Sequence, residues 1–227
     1  METQSIKSWP EKERPRERIF NHGSGSLSDA ELVALLLRSG MRGKDVISFS
    51  RELLQQRGGL RGLFSSEWKG LEQVKGLGPA KIAAILAVKE ICIRQLREEM
   101  MGKNVIQDPQ SVMQYLYTSM RDHKREVFKV LFLDKGNRVI DEQDLFEGTV
   151  DQTAVHPREV VKAALDHHAT AVILVHNHPS GRTQPSMEDR AMTCKLQGAC
   201  HAVGISILDH IIIGDNQCFS FSEHRLL

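Results

Sequence analysis

The chain has few aromatic residues: 2 Trp, 2 Tyr and 8 Phe, 5% of 227 positions. Its cores must therefore be filled by Leu, Ile, Val and Ala. Cysteine is scarce as well. Cys92, Cys194, Cys200 and Cys218 form no C-x-x-C pair, which argues against a disulfide framework and a cysteine-based zinc site. A reducing cytoplasm is the expected setting. No run of about 18 apolar residues occurs, so no membrane helix is expected. The N-terminal stretch METQSIKSWPEKERPRERIF is polar and charged and lacks the apolar region of a signal peptide. Internal repeats and low-complexity tracts are missing too.

What remains is an ordinary globular composition, 41% apolar and 26% charged. The length suits one or two domains of roughly 100–200 residues each. Charge is not evenly spread. Residues 1–103 hold 18 Lys/Arg against 13 Asp/Glu, and residues 104–227 hold 12 against 16. A basic half joined to an acidic half points to nucleic acid or another acidic partner for the first. The same excess is also common on solvated helix faces.

The first half reads as helical. Ser28-Asp29-Ala30-Glu31 has the form of a capping box, and ELVALLLRSG follows with Gly40 as the stop. Lys44 to Arg57 is a second periodic segment, and short pieces follow at Leu60–Phe64 and Glu67–Leu71. A turn at Val74–Lys81 leads into IAAILAVKEICIRQL. Apolar periodicity fades after Leu96, which predicts a helix end and a linker through RQLREEMMGKN. A helical domain over 1–100 and a second domain over 104–227 follow.

The second half alternates. Asp108-Pro109 opens the helix SVMQYLYTSM. VFKVLFLD reads as a buried strand, Lys135-Gly136-Asn137 as a turn into RVID, and FEGTVDQTAV as strand. Pro157 starts the helix REVVKAALDHH. Ala171–Val175 is a short buried strand. HNHPSGRTQPS is a loop, and Glu188 to Val203 is helical. ISILDHIII and CFSFS close the chain as strands around Gly214-Asp215-Asn216. Strands alternating with helices predict an α/β or α+β domain.

The chemistry concentrates in His176-Asn177-His178-Pro179, Ser186 and Asp189. Side chains two apart on a strand point the same way, so His176 and His178 can present both imidazoles to one point. Seven residues separate His178 from Ser186, enough to turn back and start a helix with Asp189 in its first turn. Two His and one carboxylate make a three-ligand zinc set with a fourth position for water. Bound zinc lowers the pKa of such a water to about 7. Each residue also has an ordinary explanation: a strand-end histidine, or a plain S-x-x-D capping box at Ser186–Asp189.

The string H-N-H-P-S-G, the gap and the S-x-x-D ending resemble the JAMM zinc motif of JAB/MPN-domain proteins, and within them the bacterial RadC-like family. REVFKVLFLD, FEGTVDQTAVHPREVVKAAL, AVILVHNHPSG and LDHIIIG match as well, as do PEKERPRERIF and LSDAELVALLLRSG. The resemblance spans almost the whole chain. It implies a mixed sheet flanked by helices in a C-terminal JAB/MPN domain, and one Zn2+ per chain on His176, His178 and Asp189. It implies hydrolysis of a peptide or isopeptide bond in a peptide or protein substrate. A glutamate preceding the motif acts as general base, and the serine, Ser186, helps stabilise the oxyanion. Glu126, just before an apolar strand, is the favoured base, with Glu147 and Glu159 as rivals; Glu159 is better explained as a first-turn helix acid. His156 and His210 are candidates to line the cleft or to support a ligand from behind. His167 and His168 suit a helix end.

The turn Val74–Lys81 resembles the hairpin of a helix-hairpin-helix motif. Gly76 and Gly78 let the backbone turn, amides at the next helix start can meet a phosphate oxygen, and Lys75 and Lys81 add charge. Such contacts with DNA would be salt-sensitive and independent of base sequence. A simple helix–helix turn explains the same residues, and such modules also bind proteins. Two functions compete with the hydrolase: a non-enzymatic DNA-associated scaffold, and a metal-dependent nuclease. Three adjacent residues cannot reproduce the spread-out residues of a nuclease HNH site. A zinc deaminase would need H-x-E and P-C-x-x-C, and neither occurs.

Overall fold

The computed structural model describes residues 9–148 and 155–227. The chain divides into two compact units, Met1–Cys92 and Ile93–Leu227, and the division falls inside one long helix.

The first unit is helical among its described residues. It contains α1 (Pro15–His22), α2 (Asp29–Leu37), α3 (Val46–Arg57), α4 (Leu60–Phe64), α5 (Trp68–Glu72) and the start of α6 (Pro79–Met100). The predicted capping box forms: Ser28 Oγ accepts from the Glu31 amide, and the Glu31 carboxylate accepts from the Ser28 amide. The expected stop at Gly40 comes earlier. Helix α2 ends at Leu37, and Arg38 takes the left-handed conformation, φ 65°. Gly40 serves a different need, because a Cβ there would lie 2.2 Å from the Lys44 carbonyl oxygen. The core is aliphatic around a single buried aromatic, Phe49, as the composition required.

The second unit holds a mixed five-stranded sheet in the order β2-β1-β3-β4-β5. The strands are β1 (Val127–Leu133), β2 (Val139–Glu147), β3 (Ala171–Asn177), β4 (Ser206–Ile213) and β5 (Cys218–Ser220). β1 runs antiparallel to β2 and β3, β3 parallel to β4, and β4 antiparallel to β5. Both β1 and β3 are buried along their whole length, which explains why they are apolar but for Lys129 in β1 and His176 and Asn177 at the end of β3. Alternate residues serve opposite faces. Val127, Leu131, Leu133, Ile173 and Val175 pack with α7 (Pro109–Met120). Phe128, Val130, Phe132, Val172 and Leu174 pack with α8 (Pro157–Asp166) and α9 (Met187–Ala202). The unit is thus a helix–sheet–helix sandwich.

Two expectations need correction. The stretch RQLREEMMGKN is not a free linker. Helix α6 continues to Met100, which is fully buried with Ile93 and Leu96 packed against the same cluster. Beyond it, the Gly102 amide donates to Val139 O and the Val139 amide to Lys103 O, so the segment is laced to the start of β2. Periodicity faded there because the helix's partner surface changes, not because the helix ends. Second, RVID and the start of FEGTVDQTAV, read as separate segments, belong to one strand, β2, from Val139 to Glu147. Of FEGTVDQTAV, Phe146 and Glu147 complete β2, and residues 149–154 lie outside the described residues.

Candidate metal centre

The end of β3 makes the site. His176 faces the α8/α9 side, as its register neighbours Val172 and Leu174 do. Pairing to β4 extends one step past the strand, because the His178 amide donates to Ile213 O at 3.0 Å. That keeps His178 in strand-like register and on the same side as His176. The chain then turns at Gly181, φ 77°, whose carbonyl accepts from the Asp215 amide. Gly214 lies under this turn, where a Cβ would stand 2.5 Å from Gly181 O. The loop returns at Ser186 to cap α9, and Asp189 is the third residue of that helix.

Four side chains converge. Ligand-capable atoms of Glu126, His176, His178 and Asp189 all lie within 4.8 Å of one another. His176 Nε2 is 3.2 Å from Asp189 Oδ1, His178 Nε2 is 3.5 Å from Asp189 Oδ2, and the two Nε2 atoms are 3.0 Å apart. Glu126 Oε1 stands further off, 3.8 Å from His176 Nε2. His176 is fully buried, Asp189 nearly so, and Glu126 and His178 are part-exposed, so the cluster opens to solvent on their side.

The donor set can be tested against a cation. His178 Nδ1 is 2.8 Å from the Arg182 carbonyl oxygen, which only accepts, so Nδ1 carries a hydrogen and the neutral ring presents its lone pair at Nε2. His176 Nδ1 is occupied by His210 Nε2 at 2.8 Å, which leaves its Nε2 to face His178. Two ring nitrogens and a carboxylate thus crowd one point, an arrangement that a proton or a metal ion makes favourable. Two imidazoles and carboxylate oxygens fit a divalent transition-metal ion, and zinc is one of those that take such a set. Burial raises the Asp189 carboxyl, but His176 and His178 outweigh it and hold that group well below the usual carboxylate range. Burial lowers the His178 imidazole, yet the Asp189 carboxylate and the Arg182 carbonyl leave it raised. His210 is pushed well down, by burial first and by His176 second, so it is neutral.

Of the three glutamates considered, the geometry brings Glu126 to the histidines. Glu147 is exposed beside Arg125 at 3.6 Å, and Glu159 pairs with Arg158 at 3.0 Å on the surface. Ser186 is the N-cap of α9: its hydroxyl donates to Asp189 Oδ2 at 2.7 Å and accepts from the Asp189 amide at 3.0 Å. His156 is an exposed residue at the start of α8, whereas His210 sits directly behind His176. His167, at the end of α8, stacks on Phe132 with ring centroids 4.1 Å apart.

Sequence reasoning missed Asn177. Strand alternation turns it to the face opposite the two histidines, where it is fully buried. Its carboxamide oxygen accepts from the Val127 amide at 2.8 Å, and its nitrogen donates to His123 O at 3.3 Å and Arg125 O at 3.1 Å. Asn177 therefore fastens the segment that carries Glu126. The signal was available: a polar residue inside a strand that is otherwise buried needs partners.

In the first unit, Gly76 takes φ 95°, so the predicted turn uses its glycine there, while Gly78 has open space around it. Lys75 is exposed. Lys81 is turned inward. Its Nζ donates to Gly40 O at 2.8 Å and Gly76 O at 3.0 Å and lies 4.9 Å from the Phe49 ring centroid. Burial lowers its pKa.

This sheet, with two histidines and an acid closing one strand end, defines a JAB-type domain, and the chain belongs to the RadC-like JAB family, whose model matches residues 106–226. Residues 6–83 match the UPF0758 N-terminal family. Full-length relatives are similar throughout. UPF0758 protein Pfl01_5539 of Pseudomonas fluorescens (strain Pf0-1) is 47% identical over 219 residues, covering 96% of this chain and 98% of the relative. A UPF0758 protein of Aeromonas hydrophila subsp. hydrophila is 48% identical over 223 residues, covering 98% and 100%. None of the described helices is long and apolar enough to cross a membrane.

Proposed function

We propose that this chain is a zinc-dependent hydrolase of the JAMM type that cleaves a peptide or isopeptide bond. The observation that carries the reading is the pair of Nε2 atoms 3.0 Å apart with the Asp189 carboxylate beside both. His176, His178 and Asp189 would hold the ion. When bound, zinc supplies a Lewis acid for the scissile carbonyl and an acidified water at neutral pH. Glu126, part-exposed and 3.8 Å from His176 Nε2, would take a proton from the attacking water and pass it to the leaving nitrogen. Ser186 keeps Asp189 oriented at rest, and the same hydroxyl can rotate to donate to the tetrahedral oxyanion. Asn177 holds the Glu126 segment against the strand end.

A DNA or protein partner for the first unit is part of the same proposal. It is supported by the basic charge of residues 1–103 and by the exposed Lys75 beside Gly76. Four unpaired cysteines favour a reducing, cytoplasmic setting. The deciding experiment is elemental mass spectrometry on the purified protein and on His176→Ala/His178→Ala. About one zinc per chain, lost in the double variant, is the expected result for a three-ligand site. A wild type that stays free of zinc after reconstitution would refute the hydrolase and favour a scaffold.

A further inference from the structure

We propose that Thr193 and His210 are positioning residues that fix which nitrogen of His176 faces the metal site. The inference rests on His176 and Asp189 being ligands. It begins at an atom that can only accept. Thr193 lies one turn after Asp189 on α9, and its Oγ1 is 2.6 Å from the Asp189 carbonyl oxygen. The carbonyl has no hydrogen to give, so the threonine hydroxyl donates. Thr193 Oγ1 is also 2.6 Å from His210 Nδ1. With its only hydrogen committed, Thr193 must accept there, and His210 Nδ1 carries the proton. His210 Nε2 is then bare, and it lies 2.8 Å from His176 Nδ1. His176 Nδ1 therefore carries its hydrogen, and its Nε2 lone pair points at His178 and Asp189.

The chain has one direction, and burial holds it. Thr193 is 2% exposed, and His210 and His176 are 0% exposed. Phe221 stacks on His210 with ring centroids 4.6 Å apart, and Phe128 lies nearly parallel to His176 at 6.4 Å. Without the hydroxyl, His210 is free to keep its proton on Nε2. It would then donate to His176 Nδ1 and drive the His176 hydrogen onto Nε2, where it blocks a cation. One residue, Asp189, thus anchors both ends: its carboxylate faces the site and its carbonyl orders the relay that presents His176.

The test uses the full chain. Thr193→Val keeps the shape and removes the hydroxyl, and Thr193→Ser restores it. Zinc affinity, measured by competition with a chromogenic chelator, should fall about 10- to 100-fold in Thr193→Val. Thr193→Ser should bind as the wild type does. In the zinc-free protein, nitrogen-15 shifts of the imidazoles should show His176 protonated on Nδ1 in the wild type and Thr193→Ser, and the tautomers mixed or reversed in Thr193→Val. His210→Gln offers an oxygen to His176 and an NH2 to Thr193 and should retain affinity, while His210→Leu should lose it; this pair decides the matter should Thr193→Val unfold. Unchanged affinity and an unchanged tautomer in Thr193→Val overturn the proposal. A wild type that binds no zinc would sink the hydrolase reading instead, and the zinc-free tautomer would still decide the relay.

Discussion

The turn at Gly76–Gly78 and the loop from His178 to Ser186 are both glycine-bearing connections that lead into a helix. They use their polar groups in opposite ways. At the turn, the Lys81 ammonium points inward and joins Gly40 and Gly76 carbonyls, so the cation acts as a brace for its own unit. At the loop, each histidine is committed through its rear nitrogen, His178 to Arg182 O and His176 to His210, and each leaves one forward nitrogen at a common point. The difference teaches how to weigh a candidate residue. A side chain counts toward a ligand when its other atoms are already satisfied, and counts against one when the reactive atom itself is.

The sharpest test of the loop's side of that contrast is Glu126→Gln. It should retain zinc and lose about 100- to 10,000-fold in turnover on any peptide or isopeptide that the zinc-loaded protein cleaves. Full activity in that variant would mean the open side of the cluster holds no base. The turn's side is tested by Lys81→Met, which leaves two carbonyls without their donor. Urea denaturation should report a loss of about 1–3 kcal/mol, while the exposed Lys75→Ala stays within about 0.5 kcal/mol. Equal effects at the two lysines would erase the distinction between brace and free charge.

A smaller effect concerns charge buried within the sheet. Lys129 on β1 pairs with Glu142 and Asp144 on β2, and Tyr115 donates to Glu142 at 2.7 Å. Burial raises the Glu142 carboxyl, but Lys129 overrides it and leaves it lowered; burial pushes Tyr115 up to about 12. A carboxylate lowered by folding stabilises the fold above its unfolded pKa, and that share is lost as pH falls through the folded value. Thermal midpoints between pH 7 and pH 3 should therefore drop further for the wild type than for Glu142→Gln. An equal drop would show that this cluster is electrostatically idle.

The convergence of His176, His178 and Asp189 was legible because the three obey two independent rules: an every-other-residue step on a strand, and a carboxylate in the first turn of the returning helix. Glu126 was harder, since many glutamates precede strands. Its place depends on Asn177, which reaches across from β3, and that is a contact of long sequence separation. The relay through Thr193 and His210 was out of reach for the same reason, although His210 was noticed as a histidine in an apolar strand. The α/β or α+β class followed from alternation of strands and helices and the helix-flanked mixed sheet from the family resemblance, but strand order and the β3–β4 parallel pairing did not. The Val74–Lys81 turn was read correctly as a turn, while the inward course of Lys81 depends on Gly40, far away in sequence.

The alternation along β3 has an evolutionary side. His176 faces one layer of the sandwich and Asn177 the other, and each is tied to partners that exist on its own side alone. Adding or removing one residue within Ala171–Asn177 would not move the centre by a few ångströms. It would exchange the two faces, sending an imidazole toward the Glu126 anchor and a carboxamide toward Asp189. Length changes in this family should therefore gather in the loops, and the strand itself should tolerate substitution at some positions but insertion at none.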